Sequence, residues 1–303
     1  MFNVFVNDLL NFIGNSCEIY NYADDNSISY HHKDPNTVKD CLEQQSSIAV
    51  DWFNDNYMQA NPGKFQAIVL CGRNQPQNIT FHINGNDIQS VPEAKLLGVI
   101  FDENLSFIPH VTSMCKKASR QVNALSRISK HLSKESRMRI LNAFIQANFD
   151  YCPTIYHLSG RMCAGKIEKL YERALRVAVN DYKSPYRNVL DECNMLMIYE
   201  QHEQQIMIQV YKVLHELAPP IPSTFYSIRD TPYNLRDSSK IILPKYHTVK
   251  YGYNSLKIQG AILWNSLPSY VKQAENLASF KHGVNSTFKV CHCGSCFKCM
   301  YRT

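Results

Sequence analysis

The chain has 303 residues, 45% of them hydrophobic and 19% charged, and carries a formal net charge of +6. That length buries a full core and leans towards two domains, in the composition of a globular protein. No apolar run reaches the ~18–20 residues of a membrane span. The N-terminal apolar positions are interrupted by Asn3, Asn7, Asp8 and Asn11 with no basic residue before them, so no signal peptide is expected either.

Charge and cysteine are both unevenly spread. Residues 1–100 carry five Lys and Arg against eleven Asp and Glu, whereas residues 101–303 carry 27 against 15. An acidic front joined to a basic back suits a metal site beside a polyanion-binding surface, and equally suits two ordinary domains. Seven of the 11 cysteines are scattered singly, as in a reducing compartment, so an intracellular protein is expected, cytoplasmic or nuclear. The other four crowd the C-terminus at Cys291, Cys293, Cys296 and Cys299.

In chain order, residues 2–12 read as a short strand or helix, with a turn at Gly14-Asn15. Residues 19–22 and 27–30 then read as a β-hairpin whose turn presents Asp24 and Asp25. Adjacent carboxylates repel and raise a pKa, a cost that a divalent cation removes. Mg²⁺ uses one or two protein carboxylates plus substrate phosphates; a polar turn without a ligand is the plain alternative. Asp34-Pro35 predicts a helix start, with Val38, Cys41/Leu42, Gln45, Ile48/Ala49 and Trp52/Phe53 on its inner face and a break at Pro62-Gly63. β-Prone runs follow at 65–71, 79–83, 88–91 and 96–101, with Asn84-Gly85 as a hairpin turn. The front of the chain is therefore α+β.

From His110 the pattern becomes helical. Val111, Met114/Cys115, Ala118, Val122, Leu125, Ser129 and Leu132 share one face, and Lys116, Arg120, Arg127 and Lys130 another. A second helix is predicted from Ser133, with Met138, Leu141, Phe144/Ile145 and Phe149 inward. A third turns Ile167, Leu170/Tyr171, Ala174 and Val177/Ala178 inward and shows a basic row at Lys166, Lys169, Arg173 and Arg176. A fourth is predicted over 195–217, with Tyr199, His202, Ile206, Val210, Val213 and Leu217 on one side. Pro219, Pro220, Pro222, Pro232 and Pro244 break up a loop-rich stretch. Residues 251–281 then read as a short helix with an aromatic anchor at Leu256, Ile262, Leu263 and Trp264, ended by Leu267-Pro268.

Four motifs stand in one order at compact spacing: Phe5-Val6-Asn7-Asp8-Leu9, Tyr22-Ala23-Asp24-Asp25, Asn61-Pro62-Gly63-Lys64-Phe65 and Leu96-Leu97-Gly98-Val99-Ile100-Phe101-Asp102. Together they resemble the palm of a non-LTR (LINE-like, jockey-type) retrotransposon reverse transcriptase, from just after its second palm motif onward. The basic helices lie where such enzymes have the thumb, and Gly260-Ala261-Ile262-Leu263-Trp264-Asn265-Ser266-Leu267-Pro268 resembles the tail of such element proteins. The resemblance implies four segments: the C-terminal part of a palm at 1–105, a helical thumb-like region at 106–217, a Pro-rich connection and small helical tail at 218–290, and a Cys-rich terminus at 291–303.

It also implies residue roles. Two Mg²⁺ (or Mn²⁺) ions about 3.5–4 Å apart would activate the primer hydroxyl and stabilise the departing pyrophosphate, with Asp24 as the main ligand and Asp25 in support. Tyr22 would pack near the primer end, or serve only as a strand aromatic. Lys64 would stand near the leaving pyrophosphate as a charge or proton donor, or is a solvated lysine beside a turn. Leu97 and Gly98 would belong to the β segment that holds the primer terminus, where Gly98 permits close approach or marks a bulge. Partners would be an RNA template, a DNA primer and deoxynucleoside triphosphates, with no membrane.

Such polymerases use three metal-binding carboxylates, and the strand bearing the third, the fingers and a Pro-Gln-Gly segment are not among these residues. A lone pair of aspartates holds one Mg²⁺ weakly and cannot clamp two around a triphosphate. A truncated copy or incomplete gene model, inactive alone, is therefore expected. The rival readings are a non-catalytic nucleic-acid-binding protein and an element relic without a role. The rows at Lys116, Arg120, Arg127, Lys130, Lys166, Lys169, Arg173 and Arg176 would follow a nucleic-acid backbone without reading sequence, or are the polar sides of amphipathic helices. Cys291, Cys293, Cys296 and Cys299 supply enough soft ligands for tetrahedral Zn²⁺, although related zinc knuckles have a Cys-Cys-His-Cys pattern with longer gaps; a frayed tail is the alternative.

Overall fold

A computed structural model describes residues 6–13, 17–70, 78–219, 224–228 and 240–290. The four C-terminal cysteines lie outside these residues. The chain divides into two compact units, Met1–His110 and Val111–Thr303.

The first unit is α+β, with short antiparallel hairpins set around one long helix. Val6–Asp8 forms a 3₁₀ turn that runs into helix α1 (Leu9–Phe12), so the expected strand-or-helix resolves as helix. Hairpin β1 (Glu18–Tyr22) and β2 (Asp25–Ser29) follows, in register Tyr22↔Asp25, Tyr20↔Ser27 and Glu18↔Ser29. Helix α2 (Pro35–Asp55) begins where Asp34 caps it: the carboxylate accepts from Asn36 N at 3.3 Å and Thr37 N at 3.1 Å, and Pro35 fills the first helical position. Ala49 and Trp52 of its inner face join Val6, Leu9 and Ile13 in a small core, against which Ile19 and Ile28 of the hairpin also pack.

Two further hairpins complete this unit: β3 (Thr80–Ile83) with β4 (Asn86–Gln89), and β5 (Glu93–Leu96) with β6 (Val99–Asp102). Asn84 and Gly85 have φ of 43° and 76°, the paired positive values of the expected tight turn. Two of the predicted runs change. Residues 65–70 form no strand and pair through an isolated bridge, Ala67↔Ser90. The run at 96–101 is broken by Leu97 (φ 46°) and Gly98 (φ 84°), which form the β5–β6 turn instead of a continuous strand or a bulge. Side-chain β-propensity does not register that a leucine can be forced into a left-handed turn position.

The second unit is helical: α3 (Ile108–Ile128), α4 (Lys134–Ile140) continuing through a π-helical stretch (Leu141–Gln146) into α5 (Ala147–Asp150), α6 (Pro153–Tyr156), α7 (Arg161–Val179), α8 (Tyr186–Cys193), α9 (Ile198–Leu214), α10 (Leu256–Ser266), α11 (Ser269–Lys272) and α12 (Leu277–Val290). Val111, Ala118, Val122 and Leu125 of α3 are fully buried, as its apolar spacing predicts. Ser133 caps α4 as expected, accepting from Ser136 N at 3.2 Å. The wider π turn buries Leu141, Ile145 and Phe149 at steps of four and leaves Phe144 in solvent, against the expectation that Phe144 faces inward. Helix α8 was not predicted, and α9 begins three residues later than its pattern suggests.

The tail does not stand apart from the helices before it. Ile206, Met207, Val210 and Tyr211 of α9 share a core with Ala261 and Trp264 of α10, Val271 of α11, and Phe280 and Val284 of α12. Trp264 and Phe280 stack with centroids 5.7 Å apart. The expected segments 106–217 and 218–290 therefore meet in one hydrophobic core.

Candidate catalytic hairpin and nucleic-acid interface

The β1–β2 hairpin has two unlike faces because strand side chains alternate. Ile19 and Ile28, paired across the strands, point to the core. The opposite face carries Glu18, Tyr20, Tyr22, Asp25, Ser27 and Ser29 and looks into solvent, with Tyr22 67% exposed. Tyr20 donates to Glu18 Oε2 at 2.8 Å, which leaves Tyr22 and Asp25 as the cross-strand pair nearest the tip. Asp24 sits in the turn beside them, its backbone carbonyl accepting from Asn26 Nδ2 at 3.3 Å.

The turn itself is strained. Ala23 has φ of 53°, at the first position of a two-residue loop where hairpins usually place glycine or asparagine. An L-residue there costs about 1–2 kcal/mol, and such outliers gather at functional sites. The structure thus brings Tyr22, Asp24 and Asp25 together on one exposed tip. Among the described residues no group of three or more His, Cys, Asp or Glu side chains is gathered as a metal site, so the two aspartates stand as a pair. Hard, exposed carboxylate oxygens fit a Mg²⁺ or Mn²⁺ ion that takes its other ligands from water, phosphate or another carboxylate.

Lys64 ends a short 3₁₀ turn, Pro62–Lys64, and is exposed there. Asn61 holds this turn by accepting from Gly63 N at 3.0 Å. Leu97 and Gly98 form the tip of the β5–β6 hairpin, and Leu96 and Leu97 are both exposed on it. Below the tip, Val99 is buried and Asp102 closes the loop that follows, accepting from Ser106 N at 3.0 Å and Phe107 N at 2.7 Å. Burial works against that charge, but the hydrogen bonds from Ser106 and Phe107 outweigh it and hold the carboxyl below its ordinary range. Asp102 was legible only as part of a motif; its role as the clasp of the 103–107 loop was not.

In the second unit, α3 and α7 approach each other at two points, met in the same order along both helices. Near their beginnings, burial pushes the Cys115 thiol of α3 up to about 11, with Cys163 of α7 adding to the shift and Lys166 of α7 opposing it. Midway, Arg173 Nη2 donates to Asn123 Oδ1 at 2.5 Å. Beyond their ends, Arg137 donates to the carbonyls of Ser129 (3.1 Å), Leu132 (2.7 Å) and Ala178 (2.7 Å). Asn123 lies within the angular sector of the α3 basic row, so its bond to Arg173 merges the two rows into one surface. Lys116, Arg120, Arg127, Lys130, Lys166, Lys169 and Arg173 are all exposed on it. Helical rise makes the α3 row from Lys116 to Arg127 about 17 Å long, enough for roughly five successive phosphates of one strand, and Lys130 follows on a 3₁₀ turn, Ser129–His131.

Arg176 departs from the row. Its guanidinium donates to Glu172 Oε1 at 2.9 and 2.7 Å, to Ser184 O at 2.9 Å and to Asp181 O at 3.3 Å. It ties down the loop after α7 instead of facing outward. Neither acid of α7 dilutes the patch: Glu172 is paired with Arg176, and Glu168 turns inward to accept from Tyr186 Oη (2.6 Å) and from the first amides of α9, Ile198 N (3.3 Å) and Tyr199 N (3.2 Å).

The chain is 26% identical over 163 residues to the RNA-directed DNA polymerase from the mobile element jockey of Drosophila funebris; the match covers 52% of this chain and 18% of that protein. The chain therefore spans under a fifth of that relative's length. No protein-family model matches it, and no solved structure does. The distant similarity supports a relationship to reverse transcriptases of non-LTR retrotransposons.

Proposed function

We propose that this chain is part of an RNA-directed DNA polymerase, its first unit contributing to the palm and its second unit binding the primer–template duplex. The observation that carries the reading is the strained, solvent-facing tip on which Tyr22, Asp24 and Asp25 converge, in a chain distantly similar to such a polymerase. Asp24 and Asp25 would hold a divalent ion, which when bound lowers the charge barrier to nucleotidyl transfer. Tyr22, on the same face as Asp25, offers its ring to the last primer nucleotide. The apolar β5–β6 tip at Leu97-Gly98 offers a backbone turn and two leucines to the primer sugar. Lys64 supplies a mobile positive charge for the triphosphate. A pair of carboxylates is short of the three such sites use, so the 303 residues alone bind nucleic acid and do not extend it.

Binding rests on the merged α3–α7 surface, where seven exposed cations lie with the acids of α7 turned away. About five phosphate contacts predict a loss of two to three decades in affinity between 50 and 200 mM salt. Primer extension on an RNA template in Mg²⁺ or Mn²⁺, run beside binding to the same RNA–DNA duplex, tests the whole reading. Any extension must vanish in Asp24→Asn, and extension that survives overturns the ligand role. A chain that binds the duplex with a steep salt slope but extends nothing fits the proposal. Duplex binding that is absent, or insensitive to salt, sinks it.

A further inference from the structure

A second surface of the Val111–Thr303 unit has a different chemistry from the α3–α7 patch. The stretch 240–253 is fastened to α10 at both ends, and its Ile241 joins the α9–α10–α12 core. At one end Ile241 is buried, its N–H donating to Asn265 Oδ1 at 2.9 Å while Asn265 Nδ2 donates to Ile241 O at 3.0 Å. At the other, Gln259 Nε2 donates to Tyr253 O at 3.0 Å. Between them Val249–Tyr253 forms a single π-helical turn, closed by bonds from Tyr253 N to Thr248 O and from Asn254 N to Val249 O, both 2.9 Å. Gly252 lets Tyr246 lie against this turn, since a Cβ at 252 would stand 2.8 Å from Tyr246 Cβ. The backbone is thus fixed by the core while its rings are not covered by it.

Tyr246, Tyr251 and Tyr253 are all exposed, with Tyr251 half so. Tyr246 and Tyr253 have centroids 5.5 Å apart, and Lys250 Nζ stands 4.8 Å from the centre of the Tyr251 ring. Lys240, Lys245, Lys250 and Lys257 are exposed along the same stretch, and no Asp or Glu occurs from 238 to 274. Rings interleaved with cations on a fixed backbone are the means by which proteins hold unpaired nucleotides: bases stack on the aromatics and phosphates meet the lysines. A duplex hides its base faces and gains little from such rings. A purely apolar partner would cover Lys245, Lys250 and Lys257 without offering them an opposite charge.

We propose that the 240–257 surface binds single-stranded nucleic acid through stacking on Tyr246, Tyr251 and Tyr253, separately from the duplex-binding α3–α7 patch. The proposal does not depend on polymerase activity. The test uses the full chain and three labelled probes in fluorescence anisotropy: a short oligouridylate, an abasic sugar–phosphate strand of the same length, and an RNA–DNA duplex. The base-bearing strand binds at least about tenfold more tightly than the abasic one. Tyr251→Ala weakens oligouridylate binding about fivefold or more and leaves duplex binding within twofold, whereas Tyr251→Phe keeps both. Lys116→Glu with Arg120→Glu gives the reverse pattern, losing the duplex and retaining the single strand. A Tyr251→Ala, Tyr253→Ala double variant lowers single-strand affinity further, with Trp264 emission reporting that the unit remains folded. Equal affinity for the base-bearing and abasic strands overturns the proposal. So does unchanged oligouridylate binding in a folded Tyr251→Ala, or a loss of single-strand binding that follows the α3 charges alone.

Discussion

The two units of this chain are held together on different scales. In the first, a small core of Val6, Leu9, Ile13, Ala49 and Trp52 supports the β1–β2 hairpin, the β3–β4 ribbon lies against α2 with Phe81 buried, and β5–β6 is a further ribbon of four-residue strands. Ribbons of that size are marginal without packing beneath them. In the second, Phe149, Tyr156, Tyr171, Leu175, Ile206 and Phe280 are all but fully buried, and aromatic edges meet throughout. The contrast places strained turns and exposed carboxylates on thin supports, and charge rows on a deep one. A site on a thin support has to be fixed by its own turn, whereas a surface on a deep core is fixed by the packing beneath it. The chain contains two tryptophans, Trp52 in the first unit and Trp264 in the second, both buried. Trp52→Phe and Trp264→Phe chains therefore report on one unit each.

The largest expected break in this comparison comes from the second unit's centre. Phe149 has no exposed surface and meets the Tyr171 ring edge-on at 6.2 Å, and its carbonyl accepts from Tyr156 Oη and from His202 Nε2 at 3.0 Å. Phe149→Ala costs about 3–5 kcal/mol. Denaturant titration should show that loss through Trp264 and leave the Trp52 midpoint where it was. Equal shifts at both tryptophans would mean that the units unfold together.

Acid should separate the units by a smaller margin. His157 and His202 are buried with ring centroids 5.5 Å apart, among Tyr156, Tyr199 and Ile198. Burial, with each other's proximity added at His157, pushes them down to about 3 and about 4. The unfolded chain takes up both protons near pH 6.5. The stabilisation from their neutral forms is therefore complete above pH 6.5 and is lost as pH falls towards 4. Two such groups lower the second unit's stability by about 2–4 kcal/mol between pH 7 and 5, and Asp150 and Glu168, both raised by burial, offset part of that loss. The first unit has one buried histidine, His110, shifted in the same direction by burial, and should lose less over that range. A Trp52 signal more acid-sensitive than the Trp264 signal would contradict this.

The same division decides how much was legible in the residues. Where a helix buries one face, period and caps were enough: Asp34 and Ser133 start their helices, and Val111, Ala118, Val122 and Leu125 go inside. Asn84-Gly85 named its own turn, because both residues tolerate positive φ. Leu97-Gly98 concealed the same turn behind a leucine, a strand former that nothing local marks as left-handed. The π stretch turned Phe144 outward because one widened turn rotates every later side chain, which a fixed period of 3.6 cannot follow. For the site, adjacency in sequence was enough to place Tyr22, Asp24 and Asp25 on one tip. The fusion of two basic rows through Asn123 and Arg173, and the withdrawal of Arg176, depend on which helices become neighbours. No pattern along a single helix encodes that.

The smallest expected effect bears most directly on the proposed chemistry. Ala23 sits at φ 53° at the tip that carries Asp24 and Asp25. Replacing it with glycine removes the Cβ penalty of about 1–2 kcal/mol, but frees the unfolded chain by about 0.4–1 kcal/mol. The difference leaves Ala23→Gly stabilising by up to about 1.6 kcal/mol in the Trp52 signal, with no change at Trp264. Alanine has fewer backbone states than glycine, so at this exposed turn it is expected to hold the neighbouring carboxylates in fewer arrangements. Stability and metal affinity should then move in opposite directions. Ala23→Gly raises the Trp52 midpoint and weakens Mn²⁺ binding, measured by paramagnetic broadening of the tip resonances. A lowered midpoint would show that Ala23 is unstrained in solution, and the tip would then be an ordinary turn.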